Sequence, residues 1–189
     1  MTIKTETEAL EISFNVHNTS GRTVYLYEPD PPYLLPGLDD RLLILFGRLP
    51  VPEDHDVEVP ETPGVAILRP GDLLHRRLNL RLPVEKKYPY PVFPLGTRAT
   101  PTVLRKVQVA FGYVAGDLDM GIGYFGEQEV ATPKISVTHQ AFVLSPLFEI
   151  EVPAQAWNWP FHAPEAELNP SIQTQVSAKI TSHSDLQAK

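Results

Sequence analysis

Apolar side chains recur at every second position through much of this chain. Leu10, Ile12, Phe14 and Val16 alternate with polar residues up to His17, the mark of a strand with one wet face. Asn18–Gly21 carries turn residues, and Arg22–Tyr27 resumes an extended pattern of β-branched and aromatic side chains. These two runs are expected to be adjacent strands joined by a short turn. Arg41–Phe46 is an unbroken apolar run bounded by Gly47 and Pro50, and at that length it predicts a buried strand. Val65–Leu68 leads into a turn at Arg69-Pro70-Gly71-Asp72. Beyond it, Leu74, Leu78, Leu80 and Leu82 against Arg77, Asn79 and Arg81 predict a half-buried strand ended by Pro83. Val107, Val109, Phe111 and Tyr113 mark the strongest later strand. Another opens near Val137–Val143, is interrupted at Pro146 and resumes over Leu147–Val152, so a bulge or edge position is expected there.

The intervening segments carry little periodicity. Pro29–Gly37 has too many prolines for a helix or a central strand and is expected to be an extended loop. Residues 51–64 are acidic and proline-punctuated, a surface loop. Tyr88–Pro94 reads as a polyproline-like stretch with interleaved aromatics, and Gly116–Gly126 as a loop or distorted strand. The 20 prolines, more than twice the typical share of ~5%, are scattered between apolar runs, which argues for rigid loops between strands and against long helices. Residues 165–189 are polar, with one period-two set (Ile172, Thr174, Val176, Ala178, Ile180), and read as a polar tail or an edge strand. No internal repeat is present. Short strands separated by Gly/Pro loops predict an all-β fold: an antiparallel β-sandwich over residues 1–164 with long Pro-rich loops.

The segment from Leu10 to Tyr27, with its Asn-Thr-Ser-Gly turn, resembles a recurrent immunoglobulin-like opening. Val65–Asp72 followed by Leu78-Asn79-Leu80-Arg81-Leu82 resembles the proline–glycine turn before a mid-domain strand of such folds. Both features are similar to those of small bacterial intracellular proteinase inhibitors. The resemblance covers about a quarter of the chain and implies an immunoglobulin-like sandwich. This chain is considerably longer than those inhibitors, and no inhibitory loop carries over; fold likeness does not establish a site.

Charge and composition narrow the partners. A net charge of −7 disfavours nucleic acid, whose phosphates call for clustered Lys and Arg. The short basic groups, His75-Arg76-Arg77 with Arg81 and Lys86-Lys87, read as solvated strand positions. With no cysteine the chain has no disulfide, thiolate nucleophile or zinc–thiolate site. The opening Met1–Glu11 lacks the apolar run of a secretory signal, and no stretch approaches the ~20 apolar residues of a membrane helix. A cytosolic protein is therefore expected, with no membrane or nucleic-acid partner.

Candidate chemistry is sparse. Ser, His and Asp occur in no nucleophile frame, and His17 and His139 fall at polar strand positions. Asp54-His55-Asp56, with Glu53, Glu58 and Glu61 nearby, is the best metal-like cluster, but neighbours in an extended chain point to opposite sides. Asp117-Leu118-Asp119 begins like a calcium loop and fails at Gly121, where a third oxygen ligand is needed, and at Gln128, where an acidic residue is needed. Gly121, Gly123 and Gly126 spell a dinucleotide-like glycine pattern without the helix that would meet a phosphate. No catalytic residue, metal or cofactor is therefore assigned. The aromatics remain. Trp157, Trp159 and Phe161 alternate, so an extended segment puts them on one face beside His162. Tyr88, Tyr90 and Phe93 sit among prolines in a second segment. Rigid aromatics lose little entropy on binding and can line a groove. The same residues can instead close the open ends of a sandwich. The expected function is a non-catalytic binding or interaction module, an inhibitor or adaptor for a protein or peptide. The alternatives are a structural or assembly subunit, with homo-oligomerisation, and an enzyme or small-molecule binder with an aromatic-lined pocket.

Overall fold

The structure, a computed structural model, describes residues 8–28, 31–38, 40–48, 64–87, 100–116, 120–125, 128–133, 140–156 and 172–182. These residues form strands, turns and irregular links, and no helix occurs among them. One sheet has three antiparallel strands in the order β13 (Ile172–Ser182), β1 (Glu8–Asn18), β6 (Leu73–Arg81). β13 pairs with β1 along its whole length, Glu8 opposite Ser182 and Asn18 opposite Ile172.

The larger sheet runs β3 (Tyr33–Leu38), β4 (Arg41–Phe46), β8 (Thr100–Ala115), β12 (Phe148–Ala156), β7 (Val84–Glu85). β2 (Val24–Glu28) and β11 (Ala141–Leu144) also pair with β8, and β5 (Gly64–Leu68) pairs with β2. A separate hairpin joins β9 (Met120–Phe125) to β10 (Gln128–Pro133), so the glycine-rich segment is a paired strand with Gly123 opposite Val130.

The two sheets face one another across one core, as in a β-sandwich. Leu10, Ile12, Phe14 and Val16 of β1 pack against Leu42, Ile44 and Phe46 of β4 and Val107, Val109 and Phe111 of β8. Phe14 packs tilted against both Phe46 and Phe111, at centroid distances of 5.1 and 4.9 Å, and those two rings stack on each other at 5.2 Å. β4 and residues 107–114 of β8 are buried on both faces. Leu43, Leu45 and Ala110, which point away from this core, are as dry as their neighbours.

The pairing departs from the expected antiparallel sandwich. β4 with β8, and β12 with β7, run parallel. A parallel pair needs a long crossover, and between Phe46 and Thr100 the chain visits the other sheet through β6. β1 and β2, expected to be neighbours, belong to different sheets. The Asn18–Thr23 link carries the chain across, and the Arg69–Asp72 turn between β5 and β6 crosses beside it. Asn18, 1% exposed, clasps the two. Its N–H donates to the Asp72 carbonyl (3.0 Å) and its own carbonyl accepts from Gly71 (2.8 Å). Its amide Nδ2 donates to the carbonyls of Leu68 and Arg22, both at 2.9 Å, and Oδ1 accepts from Ser20 N–H and Oγ.

Residues 33–37, within the expected Pro29–Gly37 loop, instead lie in β3. Its proline is accommodated because, among the described residues, β3 forms a ladder only with β4, its other edge meeting Lys87 at the single position Leu34, and because β3 carries a bulge between Pro36 and Leu38. β8 starts before the alternation that announces it. The amides of Arg105 and Lys106 both donate to the one carbonyl of Asp40, at 2.9 and 3.1 Å, two residues facing one as in a bulge. Leu104 and Val107, three positions apart, therefore both reach the core. The break at Pro146 separates β11 from β12, and both pair with β8. Ser145 fills it: its N–H donates to the Val109 carbonyl and its Oγ accepts from Val109 N–H. Gln108 donates to the Ser145 carbonyl and accepts from Arg41 Nη1 at 2.6 Å.

Candidate functional site

At the end of β6 the chain crosses between sheets again. Leu82 N–H donates to the Glu8 carbonyl at 3.0 Å and closes the ladder with β1. Pro83 has no N–H to continue it. Val84 and Glu85 then pair in parallel with Ala154 and Gln155 of β12. Two residues later, Lys87 and Leu34 exchange both backbone hydrogen bonds at 2.9 Å. The chain leaving β7 is thus held between β12 and β3.

This junction bounds a cleft of about 650 Å³. Leu34, Leu80 and Leu82 supply apolar wall, and Arg81, Glu85, Lys86 and Lys87 supply charge. Leu80, Leu82 and Val84 are buried at alternate positions, and Lys86 is next in that series, half-buried. Burial pushes its amine below the usual lysine value of 10.5. The unfolded chain then holds more protons than the folded one between the two values. Lys86 therefore weighs against folding at neutral pH, and less so as pH rises toward 10.5. Its amine is expected to react with an acylating reagent at lower pH than a free lysine amine does. Peptide mapping after labelling across a pH series checks this, and an ordinary lysine onset overturns it.

All the aromatic candidates, Tyr88, Tyr90, Phe93, Trp157, Trp159, Phe161 and His162, lie outside the described residues. The structure does describe where their segments depart. Lys87 immediately precedes Tyr88, and Ala156 immediately precedes Trp157. Because β7 and β12 run parallel with Glu85 opposite Gln155, the residues that precede the two segments, Lys87 and Ala156, follow the same end of that pairing. Glu85, Lys86, Lys87 and Gln155 all line the cleft. The sequence held one signal of this, Lys86-Lys87 directly before the Tyr-Pro run, but its meaning depends on a pairing across some 70 residues.

Other candidates separate. Asp54-His55-Asp56, Asp117, Asp119 and His139 lie outside the described residues. Among the described residues no three His, Asp or Glu side chains converge as a metal site would require. His75 lies exposed on the small sheet, its Nδ1 2.6 Å from Asn15 Oδ1. Arg76 is not simply a solvated strand residue. It bonds Glu28 on the other sheet through Nε (2.9 Å) and Nη2 (3.3 Å), bridging the sheets at the mouth of a second cleft of about 330 Å³ over Phe14 and Phe46. Among the described residues no helix is long and apolar enough to cross a membrane. Comparison with protein-family models, with curated proteins and with solved structures finds no match to this chain.

Proposed function

We propose that this protein is a non-catalytic binding module that holds an extended protein or peptide segment with the aromatics of its two proline-rich segments. One observation supports the reading: the parallel β7–β12 pairing sets Glu85 opposite Gln155 at the 650 Å³ cleft, two residues or fewer before the residues that precede the Tyr88–Phe93 and Trp157–His162 segments in sequence. Apolar walls with a few charges at the rim are the usual make-up of a recognition site, and prolines beside aromatics lower the entropy lost on binding. Leu34, Leu80 and Leu82 would take apolar side chains, and Arg81, Lys86 and Lys87 would take carboxylates or backbone carbonyls. The frame in this reading is an immunoglobulin-like sandwich, and the compartment is the cytosol, where a cysteine-free chain needs no oxidising environment.

Both tryptophans of the chain fall in one candidate segment, so tryptophan emission reports on it alone. Peptides selected from a displayed library against the immobilised protein are expected to shift that emission on binding. A Trp157→Ala/Trp159→Ala variant of matched thermal stability is expected to bind them at least about tenfold more weakly. Selected peptides that bind both proteins equally would remove the aromatic segment from the site.

A further inference from the structure

β6 is an edge strand, since among the described residues only β1 pairs with it. Two hydrogen bonds in register with its ladder, Asn18 N–H to the Asp72 carbonyl and Leu82 N–H to the Glu8 carbonyl, set which backbone groups face β1. In an antiparallel ladder the bonded pairs recur every second residue, so Leu74, Arg76, Leu78 and Leu80 bond to β1. Leu73, His75, Arg77, Asn79 and Arg81 turn their N–H and C=O groups to the open edge. One of those carbonyls, that of His75, accepts from Arg76 Nη1 at 3.0 Å. Among the described residues nothing covers the strand: these five side chains are all exposed, and Leu73 is 64% exposed.

We propose that this edge accepts an added β-strand from a partner protein, an extended segment with acidic residues on one face and apolar residues on the other. Charge selects the acidic face. Within a chain of net charge −7, this nine-residue strand carries His75, Arg76, Arg77 and Arg81 and no acidic residue. Arg77 leans toward Glu11 at 3.4 Å yet stays 61% exposed, and Arg81 is exposed as well. Carboxylates on an added strand would lie beside both on the outer face. The cleft selects the apolar face. The 330 Å³ space over Phe14 and Phe46 lies along the inner side of β6 at Arg76 and Leu78, where inward side chains of an added strand point. Main-chain bonds then supply affinity, and the alternating side chains supply choice of partner. A second copy of this chain fits worse. Antiparallel pairing of β6 with itself centred on Arg77 or Asn79 sets Arg77 opposite Arg77 or Arg81, and like charges directly opposite are destabilising.

The probe is a blocked synthetic peptide alternating Glu with Val and carrying one central Phe, with a Lys-for-Glu counterpart as control. The wild type is expected to bind the acidic peptide, less tightly at high salt, and to bind the Lys peptide at least about tenfold more weakly. Asn79→Pro removes an edge N–H that makes no bond to β1, a position where proline is tolerated, and is expected to abolish binding while Asn79→Ala retains it. Amide hydrogen exchange on the wild type gives a second readout that needs no variant. Arg77, Asn79 and Arg81 are expected to gain protection when the acidic peptide is added. Absence of binding, equal binding of both peptides, unchanged exchange at those amides, or a concentration-dependent dimer lost in Asn79→Pro would each overturn the proposal, the last assigning the edge to a second copy.

Discussion

Phe111→Ala is expected to destabilise the protein by about 3–5 kcal/mol, the range for removing a buried aromatic side chain from a core. Phe111 is fully buried in β8 and touches Phe14 of the small sheet and Phe46 of β4. Its loss leaves a cavity where the two sheets meet, and the strands around it cannot collapse inward without breaking their own ladders. A domain's whole stability is about 5–15 kcal/mol, so the variant sits near the threshold of folding. Denaturant unfolding measures the effect as a lowered midpoint with an unchanged slope. Phe111→Leu should cost much less, because most of the volume stays. Leu73→Ala, at an exposed position, should stay within about 0.5 kcal/mol. A loss under about 1 kcal/mol for Phe111→Ala would mean that the three-ring contact does not hold the sheets together.

Asn18→Ala comes next, with an expected loss of about 2–4 kcal/mol from a cluster of hydrogen bonds and the orphaned groups they leave. The side chain uses all its capacity, donating twice and accepting twice. Its Nδ2 joins the Leu68 carbonyl at the end of β5 to the Arg22 carbonyl before β2, so it ties together the two links that change sheets. Without it, a buried Leu68 carbonyl loses this donor in a region that excludes water. Asn18→Asp separates shape from donation, since it keeps the volume and replaces the NH₂ with an oxygen. A carboxylate facing two carbonyls is held neutral, so its folded pKa rises above the unfolded value near ~3.9. Relative to wild type, the variant should be least destabilised below that value and lose stability as pH rises through it. Thermal unfolding of both proteins across a pH series tests the sign.

Strand identity was legible because alternation is a local property. Leu10–Val16 and Leu74–Leu80 display in sequence the face they bury, Arg41–Phe46 shows by its unbroken apolar run a strand dry on both faces, and these segments and Val107–Tyr113 lie in strands of the structure. The half of β8 before Val107 escaped because the bulge at Arg105–Lys106 shifts the alternation. β3 escaped because the prolines of Pro29–Gly37 argue against a central strand, while an edge with a bulge admits Pro36. Arg76, read as one more solvated cation, lies on the inward row of β6 and meets Glu28 of the other sheet. The aromatic candidates were chosen on residue type and proline context. The structure adds the parallel pairing of β7 with β12, the strands that precede the two segments, which no window of sequence contains.

By itself, then, the sequence determined the all-β character of the described residues, the segments that become the principal strands and the residues that fill the core. Tertiary structure alone decided that β1 and β2 lie in opposite sheets, that β4 pairs in parallel with β8 and β7 with β12, and that among the described residues β6 pairs on one edge only. The reason is physical. Side-chain alternation says which face of a strand is dry, and each residue carries that information itself. The neighbour along a sheet edge is chosen by backbone N–H and C=O groups that nearly every residue shares. That choice is settled only when links such as Asn18–Thr23 and Leu82–Pro83 steer the chain from one sheet to the other.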